Sequence, residues 1–313
     1  MIKVRRSSIF ISFCTVVCFI VAVHIVDINS LIDPLYYLEA INGINNIYDH
    51  NSQNALWSRD VLFSGLITGM GISNVGSYWS FYVIILLQFL ILALILRTIR
   101  KKNGFLLVSL ALIFNLTVFT GILNVWRQSF AELIFILSFL NRSRLLQIIP
   151  IGFHIYSGVV NLALRWLAQG NLIFILGSFI AISFLGRFLL SSLPETMIGA
   201  YGFENIRVDM VKIYAAFIFM VIVALTIKGT DLRTDVFYFL VLITFFCFSL
   251  FEILPNATDR FIRIFFLAFP LLFVDVNFKL RRNVVFLNVL CAFILINLFA
   301  IFSSNTFKIS FPG

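Results

Sequence analysis

The stretch NVWRQSFAELIFILSFLNRSRLLQIIPIGFHIYSGVVN, residues 124–161, holds two apolar segments joined by a basic turn. Asn124, Arg127 and Gln128 open the first segment with helical spacing, and His154 lies deep in the second. Polar groups inside a membrane usually face a protein interior or a water-filled cavity. We therefore predict that two adjacent helices carry polar faces and that these faces meet at a functional site.

The rest of the chain is as apolar as this stretch. Of its 313 residues, 61% are hydrophobic and 12% are charged, whereas soluble domains carry about 25% charged residues. Apolar runs of about 17–20 residues recur, and each is long enough to cross a bilayer as a helix. The sequence predicts an all-α fold: a polytopic helical membrane protein with about ten transmembrane segments in one integral membrane domain, residues 1–313.

The net charge of +9 comes from short basic clusters between the apolar runs. That distribution is typical of cytoplasmic loops under the positive-inside rule, and it argues against nucleic-acid binding. We predict that Arg97–Lys102 and Lys279–Arg282 lie inside. Residues 29–77 and 191–210 are predicted to be outer loops, and Leu35–Ile47 is predicted to form an amphipathic interfacial helix within the first of them.

The segment around His154 disturbs this topology. The predicted spans Leu146–Leu164 and Leu172–Leu190 would return the chain to the inside, whereas the later basic clusters favour an outside position for residues 191–210. Pro150 and the neighbouring glycines favour a break in the first of these spans. Such a break would make one segment re-entrant, so the number of crossings stays open.

Candidate catalytic groups have to be sought among isolated polar side chains. The sequence contains no nucleotide-binding, zinc-protease or serine-hydrolase motif, and its four cysteines lack metal-ligand spacing. Guanidinium groups bind diphosphate through paired hydrogen bonds, and a histidine or carboxylate beside them can accept a proton from a hydroxyl. The candidates at predicted outer helix ends are Arg127, Arg260, Arg263, His154, Asp33 and Asp60.

Structural roles compete with these functional ones. Arg127 can snorkel from a helix end to the membrane interface, and His154 can join two helices through hydrogen bonds. Gln128 and Glu132, four positions apart on one helix face, can bond each other. For the acids of the first outer loop, ordinary solvation is the competing interpretation.

The block NVWRQSFAELIFIL, the basic turn and IPIGFHIYSGVV resemble the N-x-x-R-Q … F-H-x-S core of bacterial EpsG-type exopolysaccharide proteins and related Wzy-type O-antigen polymerases. Two flanking features agree with this resemblance: Asp33 and Tyr36 in the acidic first outer loop, and RFIRIFFLAFP at residues 260–270. In this chain the serine stands three positions after His154 rather than two.

The resemblance implies an enzyme of the bacterial inner membrane that joins oligosaccharide repeat units carried on undecaprenyl diphosphate at the periplasmic face. It implies substrate binding by Arg127, Gln128, Arg260, Arg263 and Tyr36, and catalysis by His154, Asp33 and Asp60. No metal, nucleotide or other cofactor is required. The implied partners are the lipid-linked glycan, the bilayer, a chain-length regulator and a flippase.

Three alternatives remain open at the level of the sequence. A lipid-linked oligosaccharide flippase would line a transport path with polar groups and is typically longer. A membrane acyltransferase that modifies a surface glycan would match the number of spans, but this chain lacks an early Arg and His pair near its first span. A non-catalytic membrane partner of polysaccharide assembly is the third alternative.

Overall fold

A computed structural model describes residues 15–17, 20, 32–44, 60–73, 75–100, 102–168, 177, 214–220, 231–251, 255–276 and 283–303. All regular elements in these ranges are helices, which confirms the all-α prediction. The predicted span Leu172–Leu190, the predicted outer loop 191–210 and the cluster Lys279–Arg282 lie outside the described residues, apart from Gly177.

The chain divides into two compact units, residues 1–159 with 274–313 and residues 160–273. In chain order the helices are α1 (Ile32–Ile44), α2 (Val61–Ile72), α3 (Ser77–Ile99), α4 (Phe105–Ile113), α5 (Leu116–Asn124), α6 (Trp126–Asn141), α7 (Arg144–Phe153), α8 (Ile155–Ala168), α9 (Asp231–Phe251), α10 (Pro255–Ala268), a 3₁₀ helix (Phe269–Phe273) and α11 (Val284–Ser303). The boundary between the units falls within α8. A single membrane domain over the whole chain stays a prediction.

Among the described residues, two helices are long and apolar enough to cross a membrane, within α3 (Trp79–Ile99) and within α11 (Val284–Ile301). Helices α4 and α5 meet at a bend of 46° and make a third candidate if they form one broken span. These candidate spans indicate a membrane protein. The described residues thus supply two or three of the predicted spans, and the total of about ten stays a prediction.

The predicted outer loop 29–77 contains two helices. The predicted helix in its first half is present as α1, but Tyr37, Leu38 and Ile41 are buried against other helices. An interfacial amphipathic helix would leave one face on the lipid headgroups. Helix α1 packs through these residues on α2 and α3, and its interfacial location stays a prediction. The outside location of this region stays a prediction.

Helix α6 is the centre of the first unit. Nearly all of its side chains are buried, and it packs against α3, α5 and α7. Its 16 residues extend about 24 Å, which is shorter than a bilayer core of roughly 30 Å. The prediction that Asn124 and Arg127 share one face of a single helix is wrong. Asn124 ends α5, and Val125 lies outside the helical region (φ −124°, ψ 64°) before α6 begins.

The second unit is held together by aromatic packing. Helix α9 packs on α10 and on the 3₁₀ helix that continues it. Phe265, Phe269 and Phe273 follow one another at ring-centroid distances of 5.8 and 5.4 Å. Arg233 lies buried on α9 and donates from Nε to the carbonyl of Leu272 at 2.9 Å, which ties the start of α9 to the 3₁₀ helix.

Candidate functional site

The helical segment is interrupted at His154, between α7 and α8. Pro150 lies inside α7, which ends at Phe153, and His154 is extended with φ −154° and ψ 98°. The predicted break in this segment is therefore confirmed. Gly158 permits the turn to be tight, because a Cβ there would lie 2.6 Å from the Cα and backbone nitrogen of Ile151.

His154 caps the N-terminus of α8. Its carbonyl accepts the N–H of Gly158 at 2.8 Å, and its Nδ1 accepts the N–H of Ser157 at 3.2 Å. This is the geometry of a side-chain N-cap, built here with an imidazole. An accepting Nδ1 carries a lone pair, so the proton of the neutral ring is on Nε2. Nε2–H is therefore a hydrogen-bond donor in this conformation.

Asp60 stands at the start of α2 and bonds to two further helices through its carboxylate. Its backbone carbonyl begins α2 by accepting the N–H of Ser64 at 2.8 Å, but its side chain makes no bond to α2. Oδ1 accepts the N–H of Ile155, the first residue of α8, at 2.9 Å, and Oδ2 accepts from Nη1 of Arg127 at 2.7 Å. The negative charge lies where the α8 dipole favours it. Solvation, the competing interpretation for this acid, does not hold because Asp60 is buried.

Arg127 is held at the second position of α6. Its guanidinium Cζ lies 5.6 Å from the ring centroid of Tyr37, at cation–π distance. The guanidinium also forms the ion pair with Asp60. Its side chain is 29% exposed, against 5% for that of Asp60. The guanidinium is thus oriented by two partners while part of the side chain stays accessible, which is unlike an arginine that only extends to the interface.

An aromatic cluster lies around this ion pair. Trp126 is completely buried next to Arg127 in the sequence, stacked on Tyr37 at 6.0 Å and tilted against Phe81 at 5.8 Å. Phe63 meets the edge of Tyr37 at 4.9 Å. Apolar surroundings weaken solvent screening, so an ion pair here is more strongly coupled than one at the surface. We call Asp60, Arg127, His154 and Tyr37 the Asp60 cluster.

Other predicted residues have different surroundings. Gln128 is buried and donates from Nε2 to Oε1 of Glu132 at 2.6 Å, which confirms the structural alternative for this pair.

Asp33 and Tyr36 lie on α1, and their side chains are outside the described residues. The tyrosine on Arg127 is Tyr37, which the sequence analysis did not select. The signal for it was available, because Tyr37 and Ile41 share one face of α1 at i, i+4 spacing.

The two predicted arginines of α10 belong to the second unit. Arg263 is half-buried there, and the side chain of Arg260 is outside the described residues. Their predicted action on the same diphosphate as Arg127 stays a prediction. In the ranges the structure describes, no three His, Cys, Asp or Glu side chains come close enough to hold a metal ion.

Comparisons with known proteins add no relative: no protein-family model, no curated protein and no solved structure matches the chain. The chemistry of the site has to be argued from its own groups. The guanidinium of Arg127, on a side chain that is 29% exposed, and the N-terminus of α8 both attract an anion. At present both are occupied by the carboxylate of Asp60. The site therefore combines an anion receptor, a carboxylate that shares its donors, and an imidazole donor next to them.

Proposed function

We propose that this protein is a membrane glycosyltransferase, a polysaccharide polymerase that joins undecaprenyl-diphosphate-linked repeat units. The observation that carries the proposal is the contact of Asp60 with both Arg127 and the first N–H of α8. It joins residues from the two blocks on which the resemblance to EpsG-type and Wzy-type proteins rests, and it does so around a receptor for a phosphorylated group. The substrate follows from that resemblance.

Arg127 is the proposed ligand of the lipid diphosphate. A guanidinium has five donors in a planar fork that matches phosphate oxygens, and 29% of this side chain is accessible. A diphosphate carries more charge than one carboxylate, so it competes with Asp60 for the guanidinium. Arrival of the substrate then draws Arg127 away from Oδ2 of Asp60.

Asp60 is the proposed base. The acceptor sugar hydroxyl attacks the anomeric carbon of the donor, and the bond from that carbon to the diphosphate oxygen breaks. Undecaprenyl diphosphate leaves with the electron pair of that bond, and Oδ2 of Asp60 takes the hydroxyl proton. Oδ1 stays on the N–H of Ile155, which holds the carboxylate in place. General base catalysis contributes on the order of 10²–10⁴-fold.

His154 is proposed to orient a substrate oxygen rather than to remove a proton. The sequence left both roles open. With Nδ1 accepting from Ser157, the ring offers Nε2–H to a sugar hydroxyl or a phosphate oxygen. A role as base would require Nδ1 to release the Ser157 N–H and take the ring proton. This supports the orienting role and moves the base to Asp60.

The proposed setting is the bacterial inner membrane, crossed by about ten segments, with the Asp60 cluster on the periplasmic face. Basic residues at the far end of α3 and the two or three candidate spans are consistent with it. A flippase that delivers the lipid-linked repeat unit and a regulator of chain length are the proposed partners. The reaction needs no nucleotide sugar, because the donor is already activated by its diphosphate.

The length profile of the surface glycan in a deletion strain tests the function. Loss of a polymerase leaves single repeat units on the lipid core, and complementation with the wild-type chain restores the ladder. Loss of a flippase leaves no repeat unit at the surface, and loss of an acyltransferase leaves a full ladder without the acyl group. Either of the last two profiles would replace the proposed function.

A further inference from the structure

A second candidate site lies at the other end of α6. The last turn of α3 and the last turn of α6 enclose a cleft of about 630 Å³. The described residues that line it, the α3–α6 cleft, are Leu94, Arg97, Thr98, Arg100, Leu137 and Asn141. Arg127 and Asn141 are 14 positions apart on α6, so the cleft lies about 21 Å from the Asp60 cluster along this helix.

Among the described residues, the cleft carries positive charge and no ion-pair partner for it. Arg97 and Arg100 are exposed, and among the described residues the ion pairs are Lys102–Asp275 and Arg127–Asp60. Neither cleft arginine therefore faces a described carboxylate at ion-pair distance. Two guanidinium groups over one cavity suit an anion with several oxygen acceptors, and a phosphate provides them.

An apolar stripe leads into the cleft along α3. Val83, Leu86, Leu90 and Leu94 are between 37% and 52% exposed, and their spacing places them on one face of the helix. Leu94 belongs both to this stripe and to the wall of the cleft. From Leu94 to Val83 the stripe extends about 16 Å, which is close to one leaflet, half of a hydrocarbon core of roughly 30 Å.

We propose that the α3–α6 cleft binds the phosphate of an anionic phospholipid, with an acyl chain along the α3 stripe. The guanidinium groups of Arg97 and Arg100 bind the phosphate oxygens, and Leu94 marks the transition from headgroup to hydrocarbon. A soluble phosphate would use the arginines but not the stripe. Basic pockets between membrane helices on the cytoplasmic side are suited to such headgroups, and the positive-inside rule predicts that side for this end of α3.

Native mass spectrometry of the full chain in detergent measures this binding. The probes are phosphatidylglycerol and phosphatidylcholine with identical acyl chains, and inorganic phosphate. The wild type is expected to prefer phosphatidylglycerol. Replacing both cleft arginines (R97Q with R100Q) is expected to weaken phosphatidylglycerol binding by about 25-fold, roughly fivefold for each arginine. Phosphatidylcholine binding should weaken much less, because choline offsets the charge of its phosphate.

The matched control is the double variant R142Q with R144Q. It removes Arg142, which directly follows α6, and Arg144, which begins α7, and neither lines the cleft. It is expected to keep the preference for phosphatidylglycerol. Equal losses in the two double variants would overturn the proposal, because they would indicate a general charge effect.

Two further outcomes decide between sources of the phosphate and guard against misfolding. Displacement of phosphatidylglycerol by millimolar inorganic phosphate would overturn the lipid assignment. If the glutamine variant is recovered at low yield, R97K with R100K keeps the charges and should retain the preference with a smaller loss, since lysine lacks the paired donors. Loss of the preference in this charge-retaining variant, recovered at wild-type yield, would contradict the proposal. None of these results depends on the proposed polymerase activity.

Discussion

The two ends of α6 use arginine in opposite ways. At its start, Arg127 is fixed by Asp60 at 2.7 Å and by the Tyr37 ring, within an aromatic cluster. Beside its other end, Arg97 and Arg100, at the end of α3, are exposed and line the α3–α6 cleft. The first arrangement specifies the direction of each donor, and the second mainly concentrates positive charge. We therefore expect binding by an arginine held in one geometry to be weakened even by lysine. Binding by an exposed arginine should depend mainly on its charge.

The largest expected effect is that of Asp60→Asn. The variant keeps an oxygen that can accept the N–H of Ile155. It loses the negative charge that pairs with Arg127, and with it the proposed base. We expect polymer synthesis to fall by on the order of 10²–10⁴-fold. The free energy of unfolding should fall by about 2–3 kcal/mol, less than for a fully buried pair because Arg127 is partly exposed. Glycan analysis and thermal unfolding in detergent measure the two effects.

Asp275→Asn is the matched control for that variant. Asp275 forms the other described ion pair, with Lys102 at 2.8 Å, and the side chains are 48% (Lys102) and 26% (Asp275) exposed. Such a pair contributes about 0–1 kcal/mol. Asparagine also tolerates the positive φ of 70° at this position. Equal destabilisation by the two variants would remove the distinction between a fixed pair and an exposed one.

Gly158→Ala is expected to have the next largest effect, on stability. Its Cβ would lie 2.6 Å from backbone atoms of Ile151, so α8 would have to move away from α7. Overpacking of this kind typically costs about 1–3 kcal/mol. Thermal unfolding should show the loss, together with lower polymer yield as the N-terminus of α8 shifts from Asp60.

Gly69→Ala serves as the comparison for Gly158→Ala. A Cβ at Gly69 meets nothing within 4 Å inside helix α2. Alanine there should stabilise the helix slightly, by up to about 1 kcal/mol. A neutral result for Gly158→Ala would mean that α7 and α8 do not approach each other closely at the break.

The smallest effect is expected from His154→Gln. A glutamine can accept the N–H of Ser157 with its oxygen and donate to substrate with its amide, so both contacts of the histidine can persist. We expect polymer synthesis to fall by less than about tenfold, within the range of one hydrogen bond. Complete loss of polymer at normal protein abundance would assign the base to His154 instead of Asp60.

The sequence was sufficient for local features of this fold. The apolar runs predicted α3 and α11, and Pro150 with its glycines predicted the break at His154. The spacing of Gln128 and Glu132 offered their bond as the alternative to substrate binding by Gln128. All of these depend on residues within a few positions of one another. Asp60, Arg127 and His154 were recognised as candidates for the same reason, since each is costly to bury.

The assembly of the site was beyond reach of the sequence. Asp60 and Arg127 are 67 positions apart, and Asp60 and Ile155 are 95 apart, so their contacts depend on how whole helices pack. The choice between Tyr36 and Tyr37 required the orientation of α1. The position of the imidazole proton on Nε2 follows from the N–H of Ser157, which donates to Nδ1. That bond, which the sequence did not show, forms because the helix is interrupted at His154.

The proposed binding of the lipid diphosphate by Arg127 during polymerisation can be examined with the single substitution Arg127→Lys. Lysine keeps the charge but lacks the paired donors, so the loss should be about 10- to 100-fold, that of a charge-assisted hydrogen bond. The measurement is the surface-glycan ladder of a deletion strain that carries the variant at wild-type abundance, with Arg100→Lys as the control. We expect predominantly single repeat units with Arg127→Lys and a normal ladder with Arg100→Lys. A normal ladder from Arg127→Lys would show that Arg127 does not bind the diphosphate through paired hydrogen bonds.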